Sequence, residues 1–443
     1  MCPEILAPVG ELEQLFAAVE YGADAVYLAA HDFGMRSAPK NFSFEELAHA
    51  TDYAHKKGVR VYQTVNILPT NSQIPQLEDF LIKSQKAGVD AIIVADIGVL
   101  MLARRVVPNM ELHISVQAGV TNYLTAGELY KLGATRVVLA RELTLHEIEQ
   151  IRANIPEDME IECFVHGAIC MAFSGRCLIS KYLTNRDSNQ GLCAQPCRWE
   201  YTVVDSKMTN SDSGKYSTEL EIVEEREVLD DQTNIAKGSY IFNSKDLNLL
   251  EHLQELSSAG VSSFKIEGRA KSSYYVATIV HAYRAAWNWY NSHGDEPLPD
   301  WILEETLKVS HRDYTTGFYF SDVVDANGKT VDGVWNPDLV PDSYHEKGYK
   351  QLWRPLAVLL EDGWHQRSKF FVGDKCELLI PTGRSEVQLK PVEVKVREIF
   401  DESGSNMQST PHADQLLTLN FSADVHMQDL PVGTFLRGSV ALL

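Results

Sequence analysis

Four cysteines in the middle of the chain are the residues whose chemistry stands out first. The chain has 443 residues and seven cysteines. Four of them, Cys170, Cys177, Cys193 and Cys197, fall within 28 positions in the pattern C-x6-C-x15-C-x3-C. Thiolates bind metals and act as nucleophiles. Such clustering therefore predicts a metal site or a reactive thiol.

The spacing of the four thiols bears on the kind of metal site. Zinc sites usually show two close C-x2-4-C pairs, and only the second pair here resembles one. Iron–sulfur clusters also need four thiolates but accept irregular spacing. The flanking Gly167, Gly175 and Gly191 permit close approach of backbone amides, and Arg176 and Arg198 can offset thiolate charge. The pattern favours an iron–sulfur cluster over zinc, with structural disulfides or a catalytic thiol as further alternatives.

A nucleophile–base pair is the competing interpretation of the same stretch. His166 and Cys170 are four positions apart and would share one face of a helix. However, His166 ends an apolar strand pattern, so a structural role is favoured for it. The sequence contains no HExxH, Walker loop, GxSxG or radical-SAM C-x3-C-x2-C motif.

The elements that must position these residues follow a repeating rhythm over the first 270 positions. Short Val- and Ile-rich runs alternate with amphipathic stretches, many of which end in glycine. The runs are EILAPV, DAVYLA, VRVYQTVN, DAIIVAD, LHISVQ, TRVVLA, EIECFVHG and SSFKIEG. Eight such units predict an α/β fold, a closed (β/α)8 TIM-like barrel. An open doubly wound sheet is the alternative, although APVGELEQ after the first run lacks its GxGxxG loop.

The spacing of the runs also predicts the domain organisation. About 100 residues separate the seventh and eighth runs, and this gap holds the four cysteines. We expect a barrel at 1–292 with a cysteine-bearing insertion at about 169–261, then a linker and mixed segment at 293–351. Short β runs at 352–443 predict a small C-terminal β-barrel domain. Loops after barrel strands form the active face, so the insertion is positioned to build a site.

Composition limits the classes of function. Hydrophobic residues make up 44% and charged residues 23%, which is typical of a soluble globular protein. The N-terminus lacks the features of a secretory signal, and the most apolar stretch, AIIVADIGVLMLA, is too short to cross a membrane. We therefore expect a cytoplasmic protein without membrane contact. The net charge of −21 disfavours non-specific binding to nucleic acid but allows a local basic patch.

Several blocks of the sequence closely resemble one known family. The blocks are ECFVHGAICMAFSGRCLIS, NRDSNQGLCAQPCRWEY, YIFNSKDLNLL and FKIEGRAKSSYYVATIVHAYR, with EILAPVGELEQLFAAVEYGADAVYLA and HISVQAGVTN upstream. They are similar to the signature of the collagenase-like peptidase U32 family over at least positions 4–319. The β-rich tail is similar to the extra domain of its longer members.

The resemblance implies more than the residues do by themselves. Several bacterial members act in hydroxylation, and a tRNA-specific member makes 5-hydroxyuridine at the wobble position, dependent on prephenate and iron–sulfur. By this resemblance, Cys170, Cys177, Cys193 and Cys197 hold a [4Fe-4S] cluster, and tRNA, prephenate and a redox partner are expected. Some relatives take a ligand from outside the paired motif, where this chain carries Asn248. A peptidase and a zinc-stabilised non-catalytic scaffold are the alternative functions.

Candidate site residues follow from strand ends and charge. Arginine forks bind carboxylates, so Arg36, Arg141 and Arg269 are predicted to bind the substrate. Glu142, His166, Lys265 and Glu267 are the catalytic candidates. For each of these, a salt bridge closing the barrel mouth is the alternative role. Candidate RNA contacts are the basic residues Lys181, Arg186, Arg198, Lys265, Arg269 and Lys271 and the aromatic residues Tyr182, Trp199, Tyr274 and Tyr275.

Overall fold

The computed structural model describes residues 2–35, 40–204, 219–222, 240, 242–320, 322–324, 330–332, 349–385, 390–422 and 430–440. Its first part is built on parallel strands with helices between them. The strands are β1 (Glu4–Pro8), β2 (Ala25–Leu28), β3 (Arg60–Val65), β4 (Ala91–Val94), β5 (Glu111–Ile114), β6 (Arg136–Val138), β7 (Glu160–Ala168), β8 (Tyr201–Val204), β9 (Glu219–Ile222), β10 (Asp246–Asn248), β11 (Ser263–Ile266), β12 (Tyr314–Thr315), β13 (Asp322–Val324) and β14 (Thr330–Asp332).

The helices of this part lie between or after the strands in the chain. They are α1 (Leu12–Glu20), α2 (Phe44–Lys56), α3 (Ile74–Lys86), α4 (Ile97–Val106), α5 (Tyr123–Lys131), α6 (Leu145–Asn154), α7 (Ile179–Thr184), α8 (Leu253–Ser258), α9 (Ser273–His293) and α10 (Asp300–Glu305). No helix in the described ranges is both long enough and apolar enough to cross a bilayer.

The first seven strands and β11 close into a barrel of eight parallel strands. Each strand pairs with the next in chain order from β1 to β7. β11 then pairs with both β7 and β1, with Ser263 opposite Glu4. The predicted TIM-like barrel is therefore confirmed, and the open doubly wound sheet is excluded because that sheet would leave two free edges.

Local sequence signals set where the barrel helices begin and end. Ser43 and Thr144 each cap a helix in a capping box, in which the side chain accepts a hydrogen bond from the amide three residues later. The α1 and α2 turns end with Gly22 and Gly58 at φ of 106° and 71°. This left-handed region favours glycine, as the sequence predicts.

The segment between β7 and β11 extends the barrel sheet at one place. β10 pairs antiparallel with the end of β7, with Asp246 opposite Ala168, and β12 pairs parallel with β10. β8 and β9 form an antiparallel hairpin. Helix α8 leads directly into β11, and α9 follows it with 21 residues. The polar, acidic sequence from Ser206 to Gln232 predicts a loop or hairpin, but residues 205–218 and 223–239 lie outside the described part of the chain.

The C-terminal part forms a second, smaller barrel. Its strands are β15 (Trp353–Leu360), β16 (Gly363–Gln366), β17 (Lys375–Leu379), β18 (Val392–Phe400), β19 (Asn406–Met407), β20 (Leu416–Phe421) and β21 (Phe435–Ser439). Six of them close in the order β17-β21-β15-β16-β20-β18, and all of the pairings are antiparallel. The predicted small β-barrel is confirmed. The sequence signal missed β16 and β19, which are short.

Buried charges join the two barrels. Arg437 of β21 is fully buried and donates to Glu305 of α10 at 2.9 and 2.6 Å. It also donates to Glu377 of β17 at 2.7 Å, and Lys308 contacts both carboxylates. Burial alone would raise the pKa of Glu305, but the charge and hydrogen bonds of Arg437 hold it at about 2. The carboxylate therefore stays ionised inside the joint.

The interior of the large barrel holds a ladder of alternating charges. Fully buried Glu162 accepts hydrogen bonds from Lys265 on the side of the barrel mouth and from Arg136 on the opposite side. Arg136 continues the ladder to Glu4 and Glu160 at the opposite end of the barrel. Burial would raise the pKa of Glu162, but Lys265 and Arg136 outweigh that effect and lower it. The ladder thus pairs Lys265 with a buried carboxylate at the mouth of the barrel.

Candidate functional site

A cavity of about 140 Å³ lies at the carboxyl ends of the barrel strands. Its walls come from the strand ends and from the loops that follow β7. All four clustered cysteines line it, as do Arg141, Lys265, Glu267 and Arg269. The sequence analysis singled out all eight residues, and the fold brings them to one space. In TIM barrels this face carries the reacting groups.

The thiols in the cavity are chemically available. None of the seven cysteines, all of which lie in the described part of the chain, forms a disulfide. Burial raises the pKa of Cys197 to about 11, Arg198 opposes that shift, and the other three thiols of the cavity add to it. This mutual influence is expected of sulfurs that share one space.

The arrangement of the thiols bears on the kind of metal they fit. Among the described residues, no three His, Cys, Asp or Glu side chains are grouped to hold a single metal ion. A single zinc ion needs its thiolates within about 2.3 Å of one centre. An iron–sulfur cluster contains several irons and sulfides, so its thiolates stand farther apart. Four free thiols around one cavity provide the number and type of donors that such a cluster requires.

The loop that carries Cys170 and Cys177 is fixed against neighbouring barrel loops. Glu142 accepts hydrogen bonds from the amide of Ser174 at 2.8 Å and from its hydroxyl at 3.0 Å. Gly175, at φ 75°, lies so close to Gln117 that a Cβ atom would be 2.0 Å from its carbonyl oxygen. Glu142 is thus a loop anchor in this structure, and it does not line the cavity.

A second set of polar contacts ties the two cysteine pairs together. Asn243 Oδ1 accepts from Arg198 at 3.1 Å and from Arg312 at 2.8 Å. Arg198 also donates to the carbonyl of Ile169, next to Cys170, at 3.1 Å. Arg312 is buried and bonds to Asp246. The NSKDL block, which the sequence analysis noted without assigning a role, thus braces the cysteine loops.

The floor of the cavity combines cationic side chains with aromatic rings. The guanidinium of Arg141 lies 3.8 Å from the Phe164 ring centroid and 3.7 Å from the Glu267 carboxylate. The ammonium of Lys265 lies 4.3 Å from the Tyr27 ring centroid. Cations stacked on aromatic faces are held in place while they keep their charge. Such a floor suits a planar or ring-shaped anion.

Arg269 differs from the expectation of an open carboxylate fork. Arg269 is 3% exposed and donates to the carbonyl of Met35 and to Asn41 Oδ1, each at 2.6 Å. It lines the cavity while it holds the loop after β2. Arg36 lies in that loop but outside the described residues.

His166 faces away from the cavity. It is 1% exposed, its Nδ1 lies 3.2 Å from the Tyr283 hydroxyl, and its ring packs against Tyr275 and Tyr314. Burial lowers its pKa to about 3. A histidine with that pKa is a weak base, and His166 is not among the residues that line the cavity. Its position favours the structural role over the catalytic one.

Some residues have other roles than the sequence analysis predicted, and some residues near the site were not predicted. Tyr274 and Tyr275 are 4% and 5% exposed, so the expectation that they stack on bases is wrong. They belong to α9, which is buried on every side from Ser273 to Trp287. Asn66 and Gln117 line the cavity, and Asn66 donates to Ser115 at 3.0 Å. Ser174 was missed because nothing in its own type or spacing indicates a loop anchor.

Comparison with known proteins identifies the family. The family model described as Peptidase family U32 matches residues 10–327, and the one described as Peptidase family U32 C-terminal domain matches residues 364–436. Three relatives illustrate the range of names within it.

The chain is 36% identical to "tRNA hydroxylation protein P" of Escherichia coli (strain K12), over 88% of this chain and 89% of that protein. It is 33% identical to "tRNA hydroxylation protein P1" of Bacillus subtilis (strain 168), over 97% and 94%. It is 35% identical to "Collagenase" of Porphyromonas gingivalis (strain ATCC BAA-308 / W83), over 71% and 73%. The chain belongs to peptidase family U32.

Proposed function

We propose that this chain hydroxylates tRNA, converting the wobble uridine to 5-hydroxyuridine with prephenate as co-substrate and a [4Fe-4S] cluster as cofactor. The observation that carries the proposal is that Cys170, Cys177, Cys193 and Cys197 line the same cavity as Arg141 and Lys265. Relatives that match nearly the full length of the chain are named tRNA hydroxylation proteins, which supports the reaction class.

The four thiols would hold the cluster. Gly175 lets their loop approach Gln117 closely, and Asn243 links the two pairs through Arg198. When bound, such a cluster supplies one-electron transfer and a Lewis-acidic iron. The chain's own residues fix the loops and place positive charge beside the thiols.

The floor of the cavity would bind the carboxylates of prephenate. Arg141 offers a guanidinium held against Phe164, and Lys265 offers an ammonium that donates to Glu162. Glu267 lies at 3.7 Å from Arg141 and orients it. Two cations beside an apolar wall match a small ring that carries two carboxylates. Arg269 would contribute by positioning the loop after β2.

Modified nucleosides in tRNA provide the test. Cells that lack this gene are complemented with wild type, Cys170→Ala or Cys2→Ala, and their tRNA is analysed by nucleoside mass spectrometry. Cys2 is an exposed thiol that does not line the cavity and serves as the matched control. We expect wild type and Cys2→Ala to restore 5-hydroxyuridine derivatives and Cys170→Ala to fail. Normal levels in the uncomplemented deletion strain, with no second pathway present, would contradict the proposal.

A peptidase is the second candidate, which the relative named "Collagenase" favours. It needs an activated nucleophile, and the geometry of His166 gives no support to a pair with Cys170, because His166 is buried against Tyr283. Purification with and without oxygen separates the two candidates. Bound iron and sulfide without proteolysis supports the hydroxylase. A colourless protein whose proteolysis is blocked by thiol alkylation supports the peptidase, and one zinc without iron supports a scaffold.

A further inference from the structure

Helix α7 and the residue before it present an exposed surface beside the cavity. Tyr182 is 88% exposed and Leu178 is 68% exposed. In the described part of the chain, no other large hydrophobic side chain is as open as Tyr182. An aromatic ring this open is available to stack on a partner.

The helix has two distinct sides. The amide of Tyr182 donates to the carbonyl of Leu178 at 2.8 Å, so the two side chains lie on one face. On the other side, Ile179 lines the cavity and Ser180 is buried. One short helix therefore forms part of the cavity wall and also an open aromatic surface next to it.

The charge around α7 is opposite to that of the whole chain. Between Ile169 and Trp199 the basic residues are Arg176, Lys181, Arg186 and Arg198, and the acidic residue is Asp187. The chain as a whole carries −21. The side chain of Asp187 is occupied by the amide of Asn189 at 2.9 Å. A locally basic surface on an acidic protein indicates a polyanionic partner.

We propose that Leu178, Lys181 and Tyr182, here called the α7 surface, bind an unpaired RNA loop next to the base that enters the cavity. This inference rests on the proposed function. Unpaired bases stack on exposed aromatic rings, and lysine contacts the phosphates between them. Stacking at Tyr182 holds the loop so that the adjacent nucleotide faces the thiols. A double-stranded RNA, whose bases are already stacked, gains little from this surface.

The experiment compares two Tyr–Lys pairs of the same protein. The test variants are Lys181→Glu and Tyr182→Ala. The controls are Lys131→Glu and Tyr130→Ala, in the last turn of α5, at the end of the barrel away from the cavity; the half-buried Tyr130 donates to Asp158, so its variant also controls for a loss of packing. Full-length protein, purified without oxygen, is titrated into a fluorescein-labelled RNA hairpin with a uridine-containing loop. A fully paired duplex of the same composition serves as the second probe.

The expected result is specific to the loop and to the α7 surface. Tyr182→Ala weakens hairpin binding by about tenfold, the usual effect of removing one stacked base. Lys181→Glu weakens it and reduces its dependence on salt. The Tyr130 and Lys131 variants bind like wild type, and duplex binding changes little in Tyr182→Ala.

Other results overturn the inference. The inference is refuted if both α7 variants bind the hairpin as tightly as wild type. It is also refuted if the α5 control variants weaken hairpin binding as much as the α7 variants do. If the α7 variants bind RNA normally but do not restore 5-hydroxyuridine in the deletion strain, the surface serves a protein partner instead. Full restoration by both α7 variants, together with normal RNA binding, refutes the surface while the proposed function stands. Failure of wild type to restore the nucleoside refutes the proposed function itself.

Discussion

Replacing Arg437 by methionine is expected to destabilise the protein strongly. The guanidinium is fully buried, and it bonds to Glu305, whose side chain is 0% exposed, and to Glu377, which is 15% exposed. Methionine has a similar length but no charge. The variant would leave a buried carboxylate without its main cation, and Lys308 can compensate in part. Removing one partner of a buried ion pair costs about 3–5 kcal/mol.

A second arginine that bridges the same two barrels provides the control. Arg367 contacts Glu13 of α1 and Asp414 at 3.0 Å each, but its side chain is 27% exposed and theirs are 39% and 68% exposed. Exposed pairs of this kind contribute up to about 1 kcal/mol. Arg367→Met should therefore be much milder than Arg437→Met, although both variants remove one cation from the joint.

Urea unfolding followed by tryptophan fluorescence measures the difference. Trp353 lies 5.7 Å from the Arg437 guanidinium and reports on the joint directly. Because the pKa of Glu305 is about 2 in the folded protein, below its ordinary value of 4.5, the stabilisation is fully present above pH 4.5 and is lost as pH falls towards 2. Arg437→Met should show a weaker acid dependence over that range. The reasoning fails if Arg437→Met costs no more than Arg367→Met.

Three further variants test the site. Asn243→Ala removes the acceptor shared by Arg198 and Arg312. Iron and sulfide should therefore be lost about tenfold faster from anaerobically reconstituted protein, measured by bleaching of visible absorbance. An unchanged rate of loss would contradict the role of Asn243 as a brace. Gly175→Ala should lower iron bound per chain because its Cβ meets the Gln117 carbonyl, whereas Gly404→Ala, at φ 78° with open space around it, should not; equal iron contents would refute this. Since the pKa of His166 falls from 6.5 to about 3, the unfolded chain binds a proton that the folded one excludes, and stability should fall as pH drops from 6.5 towards 3 by about 1.4 kcal/mol per pH unit. His166→Phe should remove that part of the slope in unfolding experiments, and an unaltered slope would show that another group causes it.

The fold could be predicted from sequence because its signals are local and repeated. Each barrel strand is an apolar run, and helix starts such as Ser43 and ends such as Gly22 carry their own chemistry. The closure of β11 on β1 follows from the count of eight units. The short β16 was not predicted, because GWHQ has a weak strand pattern and is fixed by its pairing with β15.

The site was predictable in its residue types and less so in their roles. The cysteines were found by their clustering in the sequence, and Arg141 was found because it follows a strand end. Glu142, His166 and Arg269 are also near strand ends, yet they hold a loop, pack against tyrosines and bind a backbone carbonyl. Which way a side chain turns at the end of a strand depends on tertiary neighbours. A single sequence does not encode those neighbours in any short pattern.

The interior ladder makes the two ends of the large barrel electrostatically dependent on each other. Glu162 is shared between Lys265 and Arg136, and Arg136 is in turn neutralised by Glu4. Glu4 lies on the side of the barrel remote from the sulfurs. If Glu4 were neutralised, Glu162 would offset more of the charge of Arg136 and less of the charge of Lys265. The affinity of the barrel mouth for anions thus depends on a charge at the opposite end of the barrel, without any change in the shape of the cavity.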